Sequence, residues 1–229
     1  VLKVIPKKID NNITMPKEEE FTSFRDVYLK YKKDDTLIGV DISKWQGNVD
    51  YAKLKKSGVQ FVMLKIAGQT KINGEIVMDP TFKTNIENAL KQDLKVGVYF
   101  YSYAKNLNDA KKQADYVLRN IKDYDISLPI VFDWENWENY NDFKIGFNTL
   151  NNIATTFIKI VTENGYNATM YSSQYYLENI WFPERFEDVW IANYGKLTYD
   201  GNYKMWQVCS DGKVDGIDSY VDIDVLYLN

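Results

Sequence analysis

From Leu37 onward the chain alternates short, nearly continuous apolar runs with stretches of helical period; before Leu37 it does neither. The runs predict strands at Leu37–Asp41, Gln60–Ile66, Lys95–Ser102, Pro129–Asp133, Ala168–Ser172, Val189–Asn193, Lys204–Val208 and Asp222–Tyr227. Several are apolar at every position, as expected of strands buried on both faces. Helical stretches fall between the earlier ones, at Tyr51–Ser57, Pro80–Gln92, Leu107–Ile121 and Phe147–Asn164. Asp79-Pro80 and Asn106–Asp109 carry helix-start signals. Gly58 and Gly165 stand just past two of these helices, where a left-handed cap is wanted.

Repeated strand–helix units imply an α/β fold, and eight strands around one core imply a barrel related to the (β/α)8 type. The later units are short of helix, so the barrel is expected to be imperfect, with fewer than eight helices. The final connection, Cys209–Val221, holds Gly212 and Gly216 and no helical period. A parallel crossover usually runs through a helix, so a hairpin and an antiparallel last strand are predicted. Residues 1–36 carry charge runs such as Lys17-Glu18-Glu19-Glu20 and one amphipathic piece, Phe21–Tyr31. They read as an N-terminal stalk or linker, leaving 37–229 as the barrel domain. Val1–Pro6 does not read as a natural start, so a mature or trimmed chain lacking its signal or anchor is expected.

The composition narrows the chemistry. The chain has 229 residues, 45% of them hydrophobic and 26% charged, with a formal net charge of −4. That describes one substantial globular domain without a transmembrane segment or a basic footprint for nucleic acid. There is no histidine and one cysteine, Cys209. An internal disulfide, a Cys/His metal site and every histidine-based nucleophilic device are therefore excluded, and no cofactor is implied. The work falls to carboxylates, lysine or tyrosine. The 18 Tyr and 6 Trp include enough flat amphipathic rings to cover sugar faces, although tyrosines also fill ordinary cores and surfaces.

The run Ile130-Val131-Phe132 leads into Asp133-Trp134-Glu135. Residues i and i+2 of a strand share a face, with Cα atoms roughly 6.6 Å apart. Two carboxylates are thus aimed together at the C-terminal end of a buried strand, where barrel enzymes keep their active sites. Like charges so close oppose joint ionisation, so one group can stay protonated near neutrality. Trp134 and Trp137 are expected to add desolvation. Asp41 ends the first strand, and Asp222 begins the last, whose start lies on the same rim if it runs antiparallel. Asp41, Asp133, Glu135 and Asp222 therefore converge on one mouth, with Tyr99, Tyr101, Tyr171 and Tyr194 as its walls.

The ordered segments resemble glycoside hydrolase family 25, the lysozymes of bacteria, phages and fungi. Gly39-Val40-Asp41-Ile42-Ser43-Lys44-Trp45-Gln46-Gly47 is similar to the family's opening G-x-D-x-S-x-x-Q-G. Phe61–Ala67, Gly97–Ala104, Pro129–Glu135, Ala168–Ser172, Trp190–Tyr194, Met205–Gln207 and Asp222 continue the likeness in order. The resemblance implies cleavage of the β-1,4 bond between N-acetylmuramic acid and N-acetylglucosamine in peptidoglycan glycan strands. It implies Glu135 as general acid and Asp133 as stabiliser of developing positive charge, with the substrate's own acetamido group as candidate nucleophile. Asp41 and Asp222 would hold the sugar or tune the pair, with Tyr99, Tyr101, Tyr171, Tyr194 and Trp137 contacting substrate. It further implies a cell-wall or extracellular place of action, and a monomer is expected.

One departure stands out: Phe100 occupies a place where many members carry histidine, which bears on fine substrate preference. Retention and inversion both stay open. Two rivals remain beside the hydrolase: a non-catalytic wall-binding barrel, and a chitinase-like N-acetylhexosaminidase. The second is disfavoured because Ser127–Val131 lacks the further acids of a D-x-x-D-x-D-x-E run.

Overall fold

The apolar runs become the strands of one closed sheet. The computed structural model describes residues 21–135 and 144–228. In chain order the elements are β1 (Thr22–Ser23), α1 (Phe24–Tyr31), β2 (Thr36–Ile42), α2 (Tyr51–Lys56), β3 (Phe61–Gln69), β4 (Ile76–Met78), α3 (Phe82–Lys91) and β5 (Lys95–Tyr101). They continue with α4 (Leu107–Ile121), β6 (Ile130–Asp133), α5 (Phe147–Glu163), β7 (Ala168–Ser173), α6 (Gln174–Asn179), β8 (Val189–Ala192), β9 (Met205–Lys213) and β10 (Val221–Tyr227).

Strands β2, β3, β5, β6, β7, β8 and β9 pair in that order, all parallel. Strand β10 closes the ring, antiparallel to both β9 and β2. The result is an eight-stranded mixed barrel with an antiparallel last strand, as the missing crossover helix required. The β9–β10 connection is the expected hairpin, and β9 runs five residues past its expected end because Cys209 and Gly212 continue to pair with β10. Gly58 and Gly165 adopt φ of 98° and 88° just beyond α2 and α5, the left-handed conformation that costs glycine little.

Each barrel strand separates two apolar compartments. One set of side chains, including Phe61, Met63, Val131, Trp190, Met205 and Leu226, fills the barrel interior. The alternate set packs outward against the helices. Strand β6 shows the division: Ile130, Phe132 and Trp134 belong to the outer layer, while Val131 points inward. This is why the strands read as continuous apolar runs, and it aims Asp133 and Glu135 into the barrel mouth.

Three elements depart from the sequence reading. Strand β4, three residues long, pairs antiparallel with the end of β3, and α6 is a six-residue helix after β7. Both are too short to impose a recognisable period. The third departure concerns the N-terminal segment. Thr22 and Ser23 pair with Gly212 and Lys213, and Phe24 and Val27 on α1 are 2% and 5% exposed within the barrel's outer core. Residues 22–31 thus pack against the barrel's outer layer, in a stretch that reads in the sequence as stalk or linker. Truncating Phe24 leaves a cavity under α1, and losses for buried Phe→Ala run at about 3–5 kcal/mol. Phe24→Ala should lower the chemical-denaturation midpoint by a corresponding amount; a midpoint equal to wild type would show α1 to be dispensable.

Candidate active site

The strand register brings the expected residues together. Asp222 at the start of β10 pairs directly with Asp41 near the end of β2. Tyr99 pairs with Lys65, Tyr101 with Asp133, Asp133 with Tyr171, and Tyr171 with Trp190. Neighbouring strands lie about 4.8 Å apart, so these side chains form a continuous ring around one rim. The ring surrounds a cavity of about 280 Å³ whose lining includes Asp41, Asp133, Glu135 and Asp222 together with Tyr99, Tyr101, Tyr171 and Tyr194. Of the residues singled out in the sequence, Trp137 lies outside the described residues.

The acids fall into two linked groups. Asp133 and Glu135 lie against each other at the end of β6, close enough for the charge of Glu135 to raise Asp133. Across the mouth, Asp41 lies close to Asp222, its register partner, and to Asp224. Like charges held this close oppose joint ionisation, so each group favours keeping protons that isolated acids would release. Burial raises Asp133 well above the usual carboxylate range, the charge of Glu135 adds to this, and Lys65 opposes it. Glu135 is open to the cleft, yet desolvation by its surroundings still raises it, against the charge of Lys65. Burial also raises Asp41, with the charges of Asp222 and Asp224 adding and Gln207 opposing. Asp222 is pushed up to about 6 by burial and by Glu135.

A polar network holds the second group in place. Gln207 on β9 donates through Nε2 to Asp41 Oδ2 at 2.8 Å. Its Oε1 accepts from the hydroxyls of Tyr171 and Tyr194, both at 2.8 Å. Asp224, fully buried, accepts from Trp190 Nε1 at 2.9 Å. Asp133 lines the cleft, and its Oδ1, like Oδ2 of Asp224, is buried without a hydrogen-bond partner among the described residues. An unpaired buried acceptor is costly unless a ligand supplies the donor.

Several functional positions escaped the sequence reading. Lys65 sits mid-strand among apolar neighbours, its ammonium 4.4 Å from the Tyr101 ring centroid and facing the acid pair. Burial lowers its pKa, with Asp133 and Asp79 opposing. A charged residue inside an otherwise buried strand was the available signal. Asp224 follows Asp222 at a spacing of two and so shares its face, another signal present in the chain. Trp45 stands 74% exposed at the cleft edge, on a single 3-10 turn (Lys44–Gln46) after β2. A neighbouring depression of about 560 Å³ shares Trp45, Lys65 and Tyr101 with the cleft, making the site an elongated trough.

Two expectations are corrected. Trp134 does not desolvate the pair from the cleft side, because it points outward, fully buried, with Nε1 donating to the Ala104 carbonyl at 3.2 Å. Phe100 also points outward, its ring 6.5 Å from that of Phe157 on α5. A histidine at this position would face the helix layer, so the exchange bears on packing rather than on substrate preference. Among the described residues no group of three or more His, Cys, Asp or Glu is arranged to hold a metal ion. No described helix is long and apolar enough to cross a membrane.

Comparison with known proteins gives a consistent picture. The sequence profile described as "Glycosyl hydrolases family 25" matches residues 40–217. The autolytic lysozyme of Clostridium acetobutylicum is 28% identical over 191 residues, covering 82% of this chain and 55% of that protein. This chain therefore spans about half the length of that relative. The modular autolysin LytC from Streptococcus pneumoniae, solved in complex with a synthetic peptidoglycan ligand, superposes with a TM-score of 0.74 at 26% identity. That match covers 86% of this chain and 48% of LytC. A family 25 glycosyl hydrolase from Bacillus anthracis superposes with a TM-score of 0.71 at 25% identity, covering 87% of this chain and 91% of that one.

Proposed function

Because the chain belongs to glycosyl hydrolases family 25, we propose that it hydrolyses the β-1,4 bond between N-acetylmuramic acid and N-acetylglucosamine in peptidoglycan. The observation that carries this reading is the Asp133–Glu135 pair, brought from one strand end to the mouth of an aromatic-walled trough. A trough open at its ends suits a polymer, and rings such as Trp45 and Tyr194 suit pyranose faces. The relatives named autolytic lysozyme and autolysin support the same class of substrate.

In this mechanism Glu135 donates its proton to the glycosidic oxygen as the C1–O bond breaks. With the two carboxyls on one face of the same strand end, we infer that the substrate's own acetamido oxygen attacks C1, forming an oxazolinium ion. Asp133, which lines the cleft, accepts the amide N–H and balances the positive charge. Ionised Glu135 then takes a proton from water as that water opens the ring at C1, and configuration is retained. Asp41, Asp222, Tyr99, Tyr101 and Tyr171 hold the sugar against this pair. Incubation with purified walls should release reducing groups as turbidity falls. A wall-binding barrel without turnover would instead sediment with the walls and release none.

A further inference from the structure

Beside the cleft lies a larger groove, about 770 Å³, that the reaction above does not use. Helix α1 forms one wall, with Lys30 and Tyr31, and the segment following β8 forms the other, with Tyr194 and Lys196. This helix wall precedes residues 40–217, so it lies outside the part of the chain matched by the family profile. Tyr194 belongs to both the groove and the cleft, so the two spaces adjoin along one ring. The groove has an aromatic floor: the Tyr31 ring meets Trp206 edge-on at 5.2 Å, and Tyr203 meets Tyr227 at 5.5 Å.

The two spaces differ in charge. The cleft is lined by four carboxylic acids and one lysine. The groove is lined by two lysines and a single acid, Asp26. Lys30 and Lys196 are exposed, and among the described residues neither takes part in an ion pair. Peptidoglycan is a glycan whose muramic acids carry a short peptide ending in free carboxylates. The exposed ammonium groups of the groove attract such carboxylates, whereas the cleft offers one lysine among four acids.

We propose that this groove is a subsite for the carboxylate-bearing peptide of the glycan strand. Lys30 and Lys196 bind its carboxylates, and Tyr31 and Tyr203 pack against its aliphatic parts. The inference depends on the muramidase reading, and a paired-substrate assay separates the two. Intact peptidoglycan strands and the same strands stripped of peptide by an amidase serve as substrates for wild type and for Lys30→Glu/Lys196→Glu. Both positions are solvent-exposed, so the double substitution leaves the core untouched.

The ratio of kcat/KM on peptide-bearing over stripped strands should fall about tenfold in the variant, carried by KM. Raising the salt concentration should lower the same ratio in wild type and not in the variant. An equal ratio in both proteins, or one insensitive to salt in wild type, overturns the subsite. Failure of wild type to cut either substrate overturns the muramidase reading and the subsite together.

Discussion

Glu135→Gln is expected to lower kcat on peptidoglycan by about a thousandfold, within the usual contribution of a positioned general acid. Glutamine keeps the size and a hydrogen-bond donor but has no proton to release as the C1–O bond breaks. The ring of aromatic and acidic contacts around the cleft remains, so binding to walls should persist. A substrate with an aryl leaving group needs little protonation, and on it the variant should lose far less. A uniform loss on both substrates would assign Glu135 to folding or binding instead of proton donation.

Asp133→Asn is expected to lower kcat by about a hundredfold or more, the scale on which a preorganised charge opposite a developing cation acts. The pH profile separates this role from a structural one. In wild type the pair loses its last proton as pH rises, and the donor disappears; that limb lies above the usual carboxylate range because burial raises both groups. As pH falls, the second carboxyl is protonated as well, and no charge is left to balance the oxazolinium ion. The wild-type profile is therefore a bell whose limits belong to the pair rather than to either residue. Asparagine at 133 removes the second titration, so the acid limb should vanish while the alkaline limb remains. A variant profile that keeps both limbs would place the second titrating group elsewhere, with Asp41 and Asp222 the first alternatives.

Much of this site was legible from strand periodicity. Continuous apolar runs gave the barrel strands, and a spacing of two placed Asp133 and Glu135 on one face. The absence of a crossover helix between Val208 and Asp222 implied the reversal that brings Asp222 opposite Asp41. The same alternation, carried one step further, separates Trp134 from the cleft and puts Asp224 on the strand face of Asp222, buried behind the cleft. Other features were hidden because they depend on partners distant in the chain. Gln207 matters through a hydrogen bond to Asp41, 166 residues away, and no local pattern announces it. The amphipathic spacing of Phe24 and Val27 was visible, but docking of α1 depends on pairing with Gly212 and Lys213 at the far end of the chain. Trp45 owes its place to a single 3-10 turn capped by Ser43 and Gln46, a geometry that hydrophobic patterning does not report.

The bond assignment is tested most directly by the chemistry of the ends it creates. Purified peptidoglycan digested by the wild type, reduced with borohydride and resolved by mass spectrometry should yield fragments ending in reduced muramic acid, and Glu135→Gln should yield almost none. Fragments ending in reduced glucosamine, or equal yields from the two proteins, would contradict the account.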